Sequence, residues 1–244
     1  MSKLIKDFFY TQNIEGNTLK YPAVRNLKIT NALIQILGCG IFVVDYENGK
    51  ILISSEIIAQ MCGLTQEEID TKSFDVYINH IPKDDYKMLT EVNNAYFKFI
   101  KRMSDEEILK SILSYNYHFD SLLMHQSFKP IYVENGVIKL GVFVITMSSD
   151  NVLGNVQLRS VDSHDYYEYC LDSGTWHYKE GIVLSSTEKL ILLLSAQGRS
   201  TKNIGDEIHQ TESNVKYCKK NLFKKMGVGN ISEALICAIN NRFF

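Results

Sequence analysis

The chain has 244 residues, of which 45% are hydrophobic, 22% are charged and three are proline, and its formal net charge is −2. This composition can fill a packed core, which excludes disordered and fibrous proteins, and the length allows one large domain or two smaller ones. The longest aliphatic run, Leu190 to Leu194, is far shorter than the ~20 residues that span a bilayer. No export signal opens the sequence, so we expect a cytoplasmic protein without membrane contact.

No pattern of cysteine, histidine or carboxylate residues indicates metal binding or catalysis. The five cysteines form no Cys-x-x-Cys pair, which favours reduced thiols over a disulfide framework or a zinc site. His118 and His125 lie on predicted strands without a further ligand at metal-binding spacing. The sequence also lacks a Gly-x-Ser-x-Gly motif, a phosphate-binding glycine loop and paired catalytic carboxylates. We therefore predict no metal, no cofactor and no enzymatic activity.

The first elements in chain order are a helical lead-in and a β-hairpin. We predict the lead-in over residues 1–35. Two β-rich runs then flank Asn48-Gly49, a dipeptide that is the strongest short signal for a hairpin. Two short helices are predicted over residues 55–62 and 65–70, and the second begins with the Thr-x-x-Glu pattern of a capping box.

A long helix and three strands complete the predicted N-terminal domain. After Pro82, apolar side chains recur at steps of three and four residues, which predicts a helix with one face against a sheet. These side chains are Tyr86, Leu89, Val92, Tyr96, Phe99 and Met103. The β-rich runs that follow cover residues 115–119, 122–131 and 137–147. The order of strand pair, helices and strands predicts a mixed α+β domain over residues 36–150.

Two further expectations concern the connector and the aromatic residues. Residues 151–181 are predicted as a connector that contains a β-hairpin around Gly174. The aromatic side chains of the N-terminal domain either line an internal ligand cavity or fill an ordinary packed core, and the packed core is favoured. They are Phe42, Tyr96, Phe99, Tyr115, Tyr117 and Phe119.

The tail, residues 182–244, is predicted to be helical throughout. Ser185 begins a first helix, Ser200 a second and Thr211 a third, because each can accept a hydrogen bond at a helix N-terminus. The second and third helices are separated only by His209-Gln210. Two short helices joined by so tight a turn are typical of a helix-turn-helix unit.

The third helix, over residues 212–226, has an apolar side and a basic side. At 100° per residue from Val215, Leu222 and Met226 lie within about 20° of the same direction. The opposite side is called the lysine face below. It consists of Ser213, Lys216, Tyr217, Lys220 and Lys224, at about 100° to 200°. A face of this size fits the DNA major groove, although a solvated helix surface has the same pattern.

The charge of the tail differs from that of the remaining chain. The tail contains nine Lys or Arg residues against five Asp or Glu residues, a net charge of +4, whereas the remainder has 17 against 23, a net charge of −6. This asymmetry indicates an acidic partner for the tail, such as nucleic acid.

The motifs of the tail resemble the LuxR-type helix-turn-helix of bacterial transcription regulators. They are Leu184 to Glu188, Ala196 to Gly198, Ser200 to Ile204, Ser213 to Lys216, Asn221 to Val228 and Glu233-Ala234. The resemblance implies a four-helix domain that dimerises on double-stranded operator DNA. It implies that Lys216, Tyr217 and Lys220 face base edges. The residues that it places near phosphates are Lys202, Thr211, Ser213, Asn221 and Lys225.

The tail also departs from the family pattern. The substituted positions are Thr187 for an Arg, Asn203-Ile204-Gly205 for Glu-Ile-Ala, Asn214 for a Thr and Cys218 for a frequent His. The missing Arg removes one phosphate contact, and Gly205 is expected to cost helix stability of about 1 kcal/mol relative to alanine. We expect DNA binding to persist.

Residues 36–149 resemble a PAS sensory domain in the order of their elements. The two resemblances together imply an α+β chain, with a PAS-like antiparallel sheet and flanking helices followed by an all-α four-helix domain. We predict a homodimeric, DNA-binding transcription regulator whose sensor domain modulates the tail. An unidentified small-molecule effector and RNA polymerase are candidate partners. The alternative is a ligand or redox receptor whose degenerate helix-turn-helix acts as a protein-interaction module.

Overall fold

The computed structural model describes residues 33–71, 75–148, 151–241 and 243, which divide into two compact units. Of the described residues, those up to Thr146 and Leu153–Lys179 belong to the first unit, and those within Met147–Val152 and Glu180–Phe244 belong to the second. Most of the predicted lead-in, residues 1–32, lies outside the described residues. Within the described ranges, no helix is long and apolar enough to cross a bilayer.

The first unit is a mixed sheet-and-helix domain. Its strands are β1 (Gly40–Asp45), β2 (Lys50–Ser54), β3 (Ser111–Phe119), β4 (Leu122–Glu134), β5 (Val137–Met147), β6 (Gly154–Ser160), β7 (Tyr166–Cys170) and β8 (Thr175–Lys179). Its helices are α1 (Glu56–Met61), α2 (Gln66–Thr71), α3 (Asp75–Ile78), α4 (Lys83–Ile100) and α5 (Asp105–Lys110). The strands form one sheet in the order β2-β1-β5-β4-β3-β6-β7-β8.

The described residues of the second unit form four helices. They are α6 (Ser186–Ala196), α7 (Thr201–Glu207), α8 (Glu212–Met226) and α9 (Ile231–Asn240). The strand pair, helices and closing strands of the first unit follow in the order that the PAS-like resemblance implies, and the four tail helices follow the LuxR-type order. The predicted fold class is therefore confirmed.

The segment predicted as a connector belongs to the sheet. Residues 151–181 contain the predicted hairpin as β7 and β8, but they also contain β6, which pairs with β3 from Ser111 opposite Ser160 onwards. Because β3 lies between β4 and β6, its backbone groups are hydrogen-bonded on both sides, and β7 and β8 then extend the sheet. Most of the segment, Leu153–Lys179, is thus part of the first unit rather than a linker.

Two elements around β3 differ from the sequence prediction. Helix α5 was not predicted, although Ser104 and Glu107 form a complete capping box at its start. Strand β3 begins at Ser111 rather than at Tyr115. The prediction started too late because Ser111 and Ser114 are polar, although both are buried in the middle of the sheet. A central strand is covered on both faces, so its buried positions do not alternate with exposed ones.

The aromatic residues form a packed core between the helices and the sheet. Of the six considered in the sequence, all but Phe99 are buried. The rings contact one another directly, as in the stacked pair Phe42 and Phe143, whose centroids are 4.7 Å apart. Buried rings in direct contact are typical of a close-packed protein interior and agree with the favoured interpretation.

A chain of hydrogen bonds satisfies the polar groups inside this core. The hydroxyls of Tyr77 and Tyr117 are hydrogen-bonded, and Tyr117 donates to Gln126 Oε1 over 3.2 Å. The Gln126 amide donates to the Tyr115 hydroxyl over 2.5 Å. Burial raises the pKa of Tyr115 and of Tyr117 well above the usual value, so both remain neutral.

The two histidines considered as metal ligands have structural partners. The backbone N–H of His118 donates to Asp85 Oδ2 over 2.6 Å, and its ring Nδ1 lies 2.9 Å from the same oxygen. The Nδ1 atom of His125 lies 2.9 Å from Asn116 Oδ1. Among the described residues, no three His, Cys, Asp or Glu side chains are grouped as metal ligands would be.

The packing of Phe128 predicts a strong effect of a single methyl group on β5. A Cβ atom at Gly141 would lie 2.2 Å from Cε2 of Phe128, which is 2% exposed. We expect Gly141→Ala to destabilise the first unit by about 1–3 kcal/mol, because the ring must leave its place in a filled core. Denaturant unfolding measures the loss. Gly38→Ala is the control, since nothing lies within 4 Å of its added methyl group; equal stability of the two variants would contradict the prediction.

Candidate nucleic-acid interface

The turn between α7 and α8 reverses the chain in very few residues. Ser200 caps α7 and Thr211 caps α8, each through its side-chain oxygen. Between the helices, His209 adopts a left-handed conformation with φ 54°. The Gln210 N–H then donates to the Gly205 carbonyl over 2.8 Å. The structure therefore contains the predicted helix-turn-helix geometry.

Gly205 allows α7 to contact the turn. A Cβ atom at this position would lie 2.6 Å from the carbonyl oxygen of Gln210 and 3.5 Å from the backbone nitrogen of Glu212. Real Cβ atoms do not approach a carbonyl so closely. The sequence suggested only that Gly205 weakens α7. In this backbone the glycine also makes room for the turn, which an alanine would have to displace.

Two apolar clusters hold α8 along its length. Val215 packs in the first cluster with residues of α6 and α7, namely Ile191, Leu194 and Ile204. Leu222 and Met226 pack in the second, whose other buried residues are Leu184, Leu192, Ala234, Cys237, Ala238 and Phe243. The helix ends at Gly227, which has the left-handed φ of 69° that glycine adopts readily. Because one side of α8 is fixed in this way, the opposite side faces solvent.

The structure leaves every predicted DNA-contact residue exposed. These residues are Lys202, Thr211, Ser213, Lys216, Tyr217, Lys220, Asn221, Lys224 and Lys225. The Tyr217 side chain is 63% exposed in the middle of the lysine face. By contrast, Cys218 and Lys219 turn toward the domain and are half-buried, and partial burial lowers the pKa of Lys219.

Lys216 forms an ion pair that the sequence reasoning missed. Its Nζ atom lies 2.7 Å from Glu212 Oε1, one helical turn earlier. The hydrogen bond from Lys216 lowers the pKa of Glu212 below its ordinary value. The spacing of four residues was a signal for this pair. Because both groups are exposed, the pair contributes little stability, and Lys216 can exchange it for a phosphate or a base edge.

Lys225 has a structural partner in α6. Its Nζ atom donates to Glu188 Oε2 over 3.0 Å and to Oε1 over 3.2 Å. The same carboxylate accepts from the Ser185 N–H as part of the capping box of α6. Partial burial raises the pKa of Glu188, but the hydrogen bonds from Ser185 and Lys225 outweigh this effect and leave the pKa lowered. Lys225 therefore joins the end of α8 to the start of α6.

The remaining cations of this surface are available for a ligand. Within the part of the chain that the structure describes, Lys202, Lys220 and Lys224 form no ion pair. They lie on the same helix-turn-helix unit as the exposed Tyr217. The surface thus combines uncompensated positive charge with one aromatic ring and several hydrogen-bonding groups, which is the chemistry that a DNA groove requires.

Comparison with known families identifies the tail. Residues 182–238 match the family described as bacterial regulatory proteins, luxR family. They form a LuxR-type helix-turn-helix domain. The match covers α6 to α8 and most of α9, so it includes the whole lysine face of this LuxR-type domain. The matched family is one of regulatory proteins. No curated protein matches the chain.

Solved structures of VqmA proteins are similar to the chain at low sequence identity. A phage VqmA–DPO complex is 10% identical, with a TM-score of 0.31 and coverage of 90% of this chain and 89% of the other. A Vibrio cholerae VqmA–ligand–DNA complex is 13% identical, with a TM-score of 0.32 and coverage of 92% and 91%. The V. cholerae VqmA dimer without target DNA is 13% identical, with a TM-score of 0.33 and coverage of 88% of each chain. Likeness at this level establishes no shared ligand or partner.

Two adjacent lysines at the end of α8 are expected to have different roles. Lys225→Ala removes the ion pair with Glu188 and should lower the stability of the LuxR-type domain by about 1 kcal/mol. Lys224→Ala should leave stability unchanged but reduce DNA affinity and the salt dependence of binding, because Lys224 has no ion pair to lose among the described residues. Thermal unfolding and fluorescence anisotropy at several salt concentrations measure the two effects. Equal changes in both variants would contradict this division.

The ion pair of Glu188 also predicts a pH dependence of stability. The folded domain lowers the pKa of Glu188 below its ordinary value of 4.5, so it favours the charged carboxylate. The resulting stabilisation is complete above the ordinary pKa and is lost as the pH falls through the lower pKa of the folded state. Glu188→Gln keeps a side chain that can complete the capping box but removes the charge. Its melting temperature should be below that of the wild type at pH 7, and the difference should shrink as the pH falls below the ordinary pKa of 4.5 and through the lower pKa of the folded state. A difference that stays constant would show that the charge is not responsible.

Proposed function

We propose that the protein is a sequence-specific DNA-binding transcription regulator in which the first unit acts as a sensor for the LuxR-type domain. The observation that carries this proposal is the lysine face. Its residues are exposed on a helix whose other side is fixed in two apolar clusters. A helix presented in this way can enter the major groove as a rigid body.

The residues of this surface divide into two roles. Lys216, Tyr217 and Lys220 lie near the middle of the lysine face and are assigned to base edges. Lys202, Thr211, Ser213, Asn221 and Lys224 lie around it and are assigned to phosphates. Contacts to phosphates set affinity and its salt dependence, whereas contacts to base edges set sequence preference. Lys225 adds positive charge, but its ion pair with Glu188 makes a direct phosphate contact weaker than that of Lys224.

The regulator is proposed to act as a homodimer. One helix-turn-helix reads only a few base pairs, and two related by twofold symmetry read half-sites about 34–36 Å apart, one turn of DNA. The target is therefore a pseudo-palindromic operator in double-stranded DNA. RNA polymerase is a further proposed partner at the promoter, and the protein is proposed to act in the cytoplasm without enzymatic activity.

The functional division is placed at residue 181. Residues 36–181 contain the eight strands of the described part of the chain and would form the sensor, and residues 182–244 would form the DNA-binding domain. An unidentified small molecule is the proposed effector of the sensor. Such an effector changes DNA binding only if it binds one arrangement of the dimer more tightly than another.

The second candidate function is a ligand or redox receptor whose helix-turn-helix binds a protein. The departures from the family pattern at Asn203, Gly205, Asn214 and Cys218 favour it. Their places in the structure weaken this argument, because Gly205 fits the turn and Cys218 faces away from the lysine face. Binding to heparin with elution by salt would support the DNA-binding function, whereas indifference to DNA at low salt would support the second candidate.

Replacement of two central lysines tests the DNA-binding proposal. Operator fragments are first selected from the source genome with the wild-type protein. The double variant Lys216→Ala/Lys220→Ala should bind them at least tenfold more weakly, because it removes two cations assigned to the groove. Its preference for the selected fragments over unrelated DNA should also fall, because contacts to base edges set sequence preference.

A matched control distinguishes the loss of the lysine face from a general loss of positive charge. Lys50→Ala/Lys101→Ala removes the same two charges from exposed positions of the first unit. This variant should retain the affinity and the salt dependence of the wild type. If both double variants behave alike in fluorescence anisotropy, the assignment of the lysine face to DNA is wrong.

A further inference from the structure

The hairpin of β7 and β8 carries a ladder of aromatic side chains on one face. Tyr167 lies opposite Tyr178 and Tyr169 lies opposite Trp176 in the strand pairing. The ring centroids are 5.8 Å apart in the first pair and 4.9 Å apart in the second. Phe99 of α4 contacts both pairs, at 5.0 Å from Tyr167 and 5.5 Å from Trp176. The four rings therefore face the same helix.

The two ends of this ladder differ in what covers them. At one end, Tyr169 is only 7% exposed and its hydroxyl donates to Glu91 Oε1 of α4 over 2.9 Å. At the other end, Tyr167 and Tyr178 are 39% and 58% exposed, although they lie on the same face of the hairpin. Helix α4 ends at Ile100, and a cavity of about 260 Å³ lies beside this second pair.

Six apolar or aromatic side chains of the first unit line the cavity together with seven polar or charged residues. The six are Phe99, Met103, Leu158, Tyr166, Tyr167 and Tyr178. Exposed rings that line a concave surface favour a ligand that can stack on them, because aromatic pairs are stabilised beyond simple burial of area. The Tyr167 hydroxyl forms no hydrogen bond within the described ranges, so it can pair with a polar substituent of such a ligand.

The charged groups at the rim are already engaged by protein partners. Arg159 donates to Gln157 Oε1 over 2.6 Å and to the His164 carbonyl over 2.9 Å, and its guanidinium lies 4.2 Å from the centre of the Tyr166 ring. Asp165 accepts a hydrogen bond of 2.5 Å from Tyr178.

The lysine and the glutamate of the lining are likewise engaged. Lys110 is paired with Glu106 at 2.8 Å and with Asp162 at 3.1 Å. Glu107 completes the capping box of α5 with Ser104. A charged ligand would have to break one of these arrangements, whereas a neutral ligand would not.

We propose that this cavity is a binding site for an uncharged, planar aromatic molecule of one or two rings. The volume lies just below the range of about 300–1,000 Å³ typical of drug-sized ligands, which limits the number of rings. Tyr167 and Tyr178 contact the faces of the ligand, and the Tyr167 hydroxyl orients it. The site lies outside the core network of Tyr77, Tyr115 and Tyr117.

This inference rests on the proposed function, because it places the site of the effector in the proposed sensor. The experiment measures binding of the small molecule directly, so its result does not depend on whether the protein binds DNA. The probe is 1-naphthol, which is neutral and planar, and its anionic counterpart is 1-naphthoate. Trp176 is the only tryptophan, so its indole N–H gives a single NMR signal next to the proposed site.

The experiment titrates the full chain with each probe and follows this signal and the affinity. We expect 1-naphthol to shift the Trp176 signal and to bind at least tenfold more tightly than 1-naphthoate. Tyr178→Ala should weaken 1-naphthol binding at least fivefold, whereas Tyr178→Phe, which keeps the ring, should stay within twofold of the wild type. Tyr132→Ala, which removes a tyrosine from β4, is the matched control and should also stay within twofold.

A second variant keeps the test valid if Tyr178→Ala disturbs the hairpin. Met103→Trp fills the cavity without removing a ring of the ladder and should abolish binding of 1-naphthol. Absence of binding to the wild-type protein, equal binding of the two probes, or unchanged affinity in both Tyr178→Ala and Met103→Trp would overturn the proposal.

Discussion

The direction of the lysine face depends on the burial of the opposite side of α8. Val215 near the start of α8 and Leu222 near its end pack in separate apolar clusters, so the helix cannot rotate about its axis without exposing one of them. This double attachment gives the lysine face a fixed direction. Lysine side chains alone would not fix this direction, because solvated charged groups do not determine how a helix is oriented. Specific readout of DNA requires such a fixed direction, since base edges are recognised by geometry.

The features that were predictable from sequence are those determined within a few residues. The caps at Ser185, Ser200 and Thr211 each involve a side chain and a backbone N–H three residues later, so the pattern of residue types identifies them. The angular separation of the lysine face from Val215 follows from helix geometry alone. For these reasons the order of the tail helices and the exposure of the predicted contact residues follow from local patterns of residue types.

The features that were not predictable depend on residues far apart in the chain. Strand β6 belongs to the sheet because β3 offers an unpaired side, and nothing within residues 151–181 indicates this. The ion pair between Glu188 and Lys225 joins residues 37 positions apart. Gly205 looks like a weak point in a helix until the carbonyl of Gln210 is found beside it. In each case local composition is compatible with several partners, and tertiary packing selects one.

The two candidate binding surfaces differ in whether their charged groups are already engaged. This difference constrains how a regulator of this kind would work. On the LuxR-type domain, Lys220 and Lys224 carry charge that no described residue compensates, so an anionic partner gains a favourable interaction there. At the cavity beside β7 and β8, the charged side chains of the rim are engaged by other groups of the first unit. An uncharged effector would therefore act through packing at Tyr167 and Tyr178, the end of the ladder that α4 leaves open. A ligand shifts a conformational equilibrium only if it binds one state more tightly than the other. That difference in affinity must arise at the open end of the ladder, where the packing of Tyr167 and Tyr178 can change.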